Sequence, residues 1–376
     1  MGLFIRKLDW ALLTIIGTLV ALSLIMLYSI SSAGGTDYFT KQAIAVALGI
    51  GVLFFVATLD YTHVSKYSTP IYFITLLVLL GVLLFGVTIR GTAGWLSFGF
   101  FQVQPVEVAK VTLIIFLASF ISKKKSELGE WTRLIVSLLL TAGIIFLVLK
   151  QPDLGSSLVL MAIWGGMMLA SGIRFKQLIV LGTLAILLLG AGWATLDPYQ
   201  VARIQTFMNP ELDPKGSGYN VLQAIVAVGS GGVTGKGLGN GSQSQLNFLP
   251  EKQTDFIFAV VVEELGLVGG LLVIALYGAL LYRIKRIGEL AQDNFGYLAS
   301  VGVFMMIFVQ VLINVGMNMG LLPVTGLPAP FLSYGGSSLI SLCMAMGLLL
   351  SIYQRKQGNA EPYLEISYCK IVYNMV

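Results

Sequence analysis

Between Ile71 and Ile89 the chain reads IYFITLLVLLGVLLFGVTI, an apolar stretch with no charged side chain. A helix needs about 20 such residues to cross the hydrocarbon core of a bilayer. Comparable runs fall near 10–30, 42–59, 106–121, 132–149, 154–171, 177–195, 256–282, 297–320 and 336–354, the ones at 106–121 and 154–171 being short and flanked by polar groups. Backbone groups in lipid must find partners within their own segment, so these runs are expected to be helices. The sequence therefore predicts an all-α, polytopic membrane protein with about ten transmembrane helices. Composition points the same way. Hydrophobic residues make up 56% and charged residues 11% of the chain, against about 25% charged in a soluble domain. That excludes a water-soluble globular enzyme, and the apolar content excludes a disordered chain.

Orientation follows from the basic residues between the runs. Alternate connections on one side carry Arg6, Lys7, Lys66, Lys123 to Lys125, Arg133, Arg174, Lys176, Arg283, Lys285, Arg286, Arg355 and Lys356. Short connections on the other side carry Lys41, Arg90 and Lys150. The positive-inside rule places both termini in the cytoplasm. The net charge of +5 reflects these loops and is no nucleic-acid signal. Arg6 and Lys7 precede a run of full spanning length, so no cleavable signal peptide is expected. Cys343 and Cys369 give neither a disulfide framework nor a metal cluster, and a single histidine, His63, argues against a zinc site.

One long connection stands out. Residues 196–255, between the seventh and eighth runs, form an extracellular loop far longer than compact domains tolerate without a function. It contains an amphiphilic stretch from Tyr219 to Val228, too brief to span, and a glycine-rich run from Gly229 to Gly241. The run fails the P-loop pattern, because Ser230 and Gly237 stand where Gly and Ser or Thr are needed. A nest of backbone N–H groups with Lys236 remains open as a phosphate cradle, as does a plain surface turn. No repeat of fixed period is visible, which weakens an inverted-repeat transporter. Residues 1–357 read as a single transmembrane domain, and 358–376 as a tail of different composition.

Chemistry is sought among the few polar residues near the spans. Asp255 sits where the long loop meets the eighth run. It reads either as a helix N-cap or as a general base at the membrane–water boundary. Glu263 and Glu264 lie two to three turns deeper and should face a cavity or a cation. Glu107 and Lys110 are three apart, so they share a helical face and can pair, as a packing contact or as a cation held near a substrate diphosphate. Asp153 reads as the cap of the sixth run. Arg203 is an external guanidinium suited to phosphate or to a lipid headgroup.

At these residues the sequence resembles a known family. Phe248-Leu249-Pro250-Glu251, Gln253-Thr254-Asp255-Phe256-Ile257-Phe258-Ala259 and Glu263-Glu264-Leu265-Gly266 are similar to the signature of SEDS proteins (shape, elongation, division, sporulation). Trp95, Gln104-Pro105-Val106-Glu107-Val108-Ala109-Lys110, Gln151-Pro152-Asp153-Leu154-Gly155, Asn209-Pro210 through Asp213-Pro214, and Pro330 through Ser333-Tyr334-Gly335-Gly336-Ser337 extend the likeness over residues 10–356. The short termini look more like the RodA branch than the FtsW branch. The resemblance implies a peptidoglycan glycosyltransferase in the bacterial cytoplasmic membrane. It would polymerise lipid II on the outer face, for cell elongation and rod shape, beside a class B penicillin-binding protein. It also implies that Asp255 is the essential aspartate and that Glu107 and Lys110 are the family's acidic and basic pair. With that role, Lys110, Arg203, Lys252 or Lys236 would meet the leaving diphosphate, with Gln253 and Trp95 as further substrate contacts. A divalent cation, Mg or Mn, is a candidate helper. The rival readings are a lipid II flippase and a scaffold that anchors cell-wall enzymes.

Overall fold

The computed structural model describes residues 8–34, 37–89, 91–98, 101–124, 130–173, 176–177, 179–180, 183 and 217–355. The seventh run and Arg203 lie almost wholly or wholly outside the described residues, as does the tail. Nine of the expected runs are helices. In chain order these are α1 (Trp10–Gly34), α2 (Tyr38–Thr58), α4 (Ser68–Phe85), α5 (Pro105–Lys124), α6 (Glu130–Lys150), α7 (Leu154–Ala170), α10 (Ile257–Glu289), α11 (Asn294–Asn318) and α12 (Gly336–Gln354). Eight are long and apolar enough to cross a membrane, and α7 is shorter. The chain is a multi-pass membrane protein. Leu77, Leu84 and Phe85 on α4 stand exposed, as lipid-facing side chains do.

Burial sorts the helices. The spanning window of α5 is 83% buried and that of α2 only 22%, so α5 is the central post and α2 lines the rim. Around α5 stand α4, α7, α11 and α12. Small residues permit the closest approach, between α2 and α12. There Gly49 faces Cys343, and Gly347 lies against the carbonyl of Leu53, the packing mode expected where no hydrophobic force separates helix from lipid.

The all-α reading holds for the spanning body and misses one small sheet. The quoted run stops being helical at Phe85. Gly86 follows in an extended conformation, and Val87–Ile89 begins an antiparallel meander with Thr92–Phe98 and Phe101–Val103 (β1 to β3). Trp95 pairs with Val87, and Leu96 with Val103. Short apolar runs do not distinguish strand from helix by periodicity, which is why the strand was hidden in the tail of the span.

Three shorter helices complete the chain: α3 (Tyr61–Lys66), α8 (Ser217–Ser230) and α9 (Ser242–Gln245). Helix α8 contains the amphiphilic stretch expected from sequence. The two ends of the bundle differ in character. At one end Arg283 pairs with Asp9 at 2.7 Å, Arg355 with Asp60 at 3.6 Å, and Lys123 donates to Ser65 O at 3.2 Å. This basic end gathers residues that the sequence assigned to a single side. The opposite end holds the meander, Asp153, the 242–256 segment and the non-helical 320–335 segment.

Helix α10 is broken. Gly266 has φ +71° and ψ −167°, a conformation closed to side-chain-bearing residues, so the helix ladder is interrupted two turns from its start. The glycine-rich run fills the break. Lys236 N and Gly237 N donate to Glu263 O and Glu264 O at 3.0 Å, while Leu267 N donates to Gly232 O at 2.9 Å and Val268 N to Val233 O at 3.3 Å. Only glycine fits so close. A Cβ on Gly235 would lie 2.2 Å from Glu264 O. The run is an exposed turn on its outer side, and the N–H groups of 236 and 237, which a phosphate cradle would need, are given to a neighbouring backbone.

Candidate functional site

Three successive carbonyls ahead of α10 are each held by a different donor. Tyr334 N donates to Gln253 O at 2.8 Å, Ser333 Oγ donates to Thr254 O in a short bond, and Asp255 O accepts from Asn314 Nδ2 at 3.0 Å and Asn318 Nδ2 at 2.9 Å. Asp255 N in turn donates to Glu251 O at 3.1 Å. The main chain at Asp255 is thus fixed on both sides, while its side chain stays half-buried at the end of the bundle.

One N–H at the start of α10 is met by a side chain from another helix. The N-cap position of α10 is Phe256, and the N–H of Ala259 donates to Asn318 Oδ1 at 3.0 Å. A side chain from α11 therefore closes the end of α10 across the bundle. The carboxylate of Asp255 lies beside Gly326, where a Cβ would stand 3.7 Å from Oδ2. Gly326 has φ +76° and so permits this bend.

A second polar cluster lies on α5. Lys110 Nζ donates to Glu107 Oε1 at 2.8 Å, with the lysine fully buried and the glutamate nearly so. Ser341 Oγ on α12 approaches the other carboxylate oxygen at 3.5 Å. The sequence expectation of a shared helical face is met. Asp153 caps α7, accepting from Ser156 N at 2.9 Å, and Gln104 Nε2 approaches its other oxygen at 3.4 Å. Asp153 lies within electrostatic reach of Lys110 and Glu107.

One segment lies between Asp255 and the start of α7. Gly155, in the first turn of α7, lies against Thr325 O and Leu327, with a built Cβ 3.0 Å and 2.8 Å away. Gly326, between those two residues, faces Asp255. Asn314 Nδ2 also donates to Leu327 O at 2.8 Å, so α11 holds the 325–327 bend as well as Asp255.

The remaining sequence candidates divide. Lys252 is buried, and its ammonium donates to Ser244 O and to Asn247 Oδ1 at 2.8 Å, stitching the 244–252 turn together. Burial holds that ammonium below the ordinary lysine value, opposed by the carboxylates of Glu264 and Glu263. Gln253 is buried, and its amide approaches Glu251 Oε2 at 3.3 Å. Trp95 is half-buried on β2, and its Nε1 has no hydrogen-bond partner among the described residues. Lys236 is bound to Glu263 at 3.0 Å, and Glu263 also accepts from Gln243 N and Ser244 N at the start of α9. Glu264 accepts from Ser29 Oγ at 2.7 Å and Gln245 Nε2 at 2.9 Å. Both deep acids thus serve the docking of the loop. A cavity of about 250 Å³ opens beside this region, lined by Ile30, Tyr38, Asn247, Leu249, Pro250, Glu251, Lys252 and Gln253. Among the described residues no three His, Cys, Asp or Glu side chains gather to hold a metal ion.

This arrangement belongs to a chain with many relatives. The family model described as Cell cycle protein, joining FtsW, RodA and SpoVE, matches residues 5–358. The chain belongs to the SEDS family. It is 40% identical over 362 residues to stage V sporulation protein E of Bacillus subtilis strain 168, covering 92% of this chain and 96% of that one. It is 36% identical over 354 residues to the peptidoglycan glycosyltransferase MrdB of Escherichia coli K12, covering 93% and 94%. Among solved structures it resembles a chain of a peptidoglycan synthase complex that coordinates polymerization and crosslinking, with TM-score 0.80, 30% identity and coverage of 93% and 99%. It also resembles the rod shape determining protein RodA of Thermus thermophilus, with TM-score 0.70, 28% identity and coverage of 94% and 98%.

Sequence reasoning missed two residues of this SEDS site, Asn314 and Asn318. Their signal was present: two amides four apart inside an apolar run, where a polar side chain is expensive and must have an interior partner. Gly326 was missed as well, since a lone glycine in a short connection carries no distinguishing pattern.

Proposed function

We propose that this SEDS chain is a peptidoglycan glycosyltransferase that polymerises lipid II, with Asp255 as the general base. The observation that carries the base assignment is the rigid seating of Asp255, whose N–H donates to Glu251 O and whose carbonyl accepts from Asn314 and Asn318 while its half-buried carboxylate lies beside Gly326. In the reaction, a hydroxyl of one disaccharide attacks the anomeric carbon of another and displaces a lipid diphosphate with inversion. Asp255 takes the hydroxyl proton as the new C–O bond forms. Positive charge must then meet the leaving diphosphate. Lys110 and Arg203 are the candidates, with Trp95 and Gln253 as further substrate contacts. Lys236 and Lys252 are further candidates, each also bound within the loop.

The gathering of basic residues at the opposite end supports a cytoplasmic location for that end and an external one for the site, in the cytoplasmic membrane of a bacterium. Both substrates carry long lipid tails, and a site at the end of the bundle suits ligands that arrive from within the bilayer. The likeness to a chain of a peptidoglycan synthase complex supports a crosslinking partner, a class B penicillin-binding protein.

The test is direct. Purified Asp255→Asn should be folded and monodisperse and form no glycan chains from lipid II, with or without the partner. Polymer from the Asn variant would refute the base assignment. Transfer of lipid II across vesicles by the unmodified protein, without polymer, would favour the flippase.

A further inference from the structure

We infer that Asn314 and Asn318 are positioning residues for catalysis: the two amides on α11 hold the main chain of Asp255 and the facing 325–327 bend in one fixed geometry. The inference rests on the reading of Asp255 as general base. Both side chains are fully buried. Asn318 is used at both ends, with Oδ1 accepting from Ala259 N at 3.0 Å and Nδ2 donating to Asp255 O at 2.9 Å. It thereby locks the residue before the helix cap to the first turn of α10. Asn314 Nδ2 bridges Asp255 O at 3.0 Å and Leu327 O at 2.8 Å, the two walls between which Gly326 meets the Asp255 carboxylate. Asn318 Nδ2 also donates to Asn314 O at 2.8 Å, so the pair is itself coupled.

The chemistry of the placement argues against simple packing. Asn314 Oδ1 is buried with no partner among the described residues. Leucine of similar volume would spare that unsatisfied acceptor, worth about 1–3 kcal/mol, but would strand the Leu327 carbonyl that Asn314 Nδ2 serves. The Asn314 amide is kept for what the NH2 group reaches, namely the two carbonyls that frame the carboxylate. Displacing a reacting group by about 1 Å costs on the order of 100-fold in rate, so a tether of this kind has a measurable kinetic signature.

The experiment compares purified Asn318→Asp, Asn314→Leu and Asp255→Asn in lipid II polymerisation with the partner present, reading kcat and KM separately. Asn318→Asp retains an oxygen for the Ala259 cap and, when ionised, withdraws the donation to Asp255 O. Asn314→Leu removes the unsatisfied oxygen along with the two donations. Both are expected to lower Tm through the lost buried hydrogen bonds, and, per mole of folded monodisperse protein, to lower kcat by about 10-fold to 100-fold with KM within about 2-fold. Asn314→Gln, which keeps an amide on a longer arm, should recover part of the kcat lost in Asn314→Leu. Wild-type kcat in both folded variants would overturn the inference while leaving Asp255 as base, provided Asp255→Asn is inactive. Activity in Asp255→Asn would instead overturn the base reading itself. Failure of both Asn variants to fold, or activity lost only in proportion to folded protein, would make the amides structural and equally overturn the proposal.

Discussion

Replacing Lys110 by methionine removes a cation from the most buried helix of the bundle and leaves Glu107 facing Ser341 at 3.5 Å as its remaining polar contact among the described side chains. The pair is separated by 2.8 Å. At an effective dielectric of about 20, that distance corresponds to a gross attraction of about 6 kcal/mol. Desolvation of both ions offsets much of it, so the pair as a whole contributes little beyond what two neutral side chains would. Removing one partner is different, because the other charge stays buried and uncompensated, at about 3–5 kcal/mol. Lys110→Met and Glu107→Gln should each destabilise by roughly that amount, and the double variant by far less than their sum. The measurement is a double-mutant cycle on reversible unfolding in mixed micelles, run beside a polymerisation assay. Additivity within about 0.5 kcal/mol would refute the argument that the two charges compensate each other. The assay then separates structure from chemistry. If the double variant recovers stability without polymerisation, at least one of the two charges serves the reaction. If it recovers both, the pair is a packing device.

Gly235→Ala and Gly266→Ala should each destabilise by about 3 kcal/mol or more, because both have positive φ and a Cβ would strike backbone atoms at 2.2 and 2.3 Å. Gly17→Ala, in open space on α1, should be neutral or stabilise by about 0.5–1 kcal/mol, and thermal unfolding of all three checks the contrast. Glu263→Gln should loosen the glycine-rich run by weakening the Lys236 bridge and the α9 cap, seen as faster amide exchange over residues 231–245; unchanged protection there would contradict the docking role. Asp60, at the basic end, has its carboxyl held below the ordinary value of 3.8, first by the Thr62 N–H and then by the Thr62 hydroxyl. Its folded value is depressed, so its stabilisation is complete above the unfolded value and lost as pH falls through the folded one. Asp60→Ala should therefore cost about 1 kcal/mol at neutral pH and flatten the loss of stability at acid pH, which a Tm series from pH 7 down to about 3 would show.

What the sequence made legible was whatever local spacing decides. Long apolar runs give spans because the bilayer leaves the backbone no alternative. The three-residue interval between Glu107 and Lys110 gives a pair because helix geometry puts them on one face. Asp153 before Leu154 gives a cap for the same reason. What it hid depends on partners far away in the chain. The glycine-rich run resembled a phosphate cradle because such a cradle and a backbone docked into a broken helix ask for the same residue. Only the break at Gly266 tells them apart, and in sequence that break is one glycine in an apolar helix. Asp255 is the sharpest case. A cap and a general base both call for an aspartate just before a helix, so the letters around it cannot choose. What the structure adds is Asn318, 63 positions away, whose oxygen takes a helix N–H and whose amide reaches the Asp255 carbonyl. Because α11 takes one N–H at the head of α10 and the carbonyl just before it, the seating of Asp255 is written in contacts between two distant helices, which no local spacing encodes.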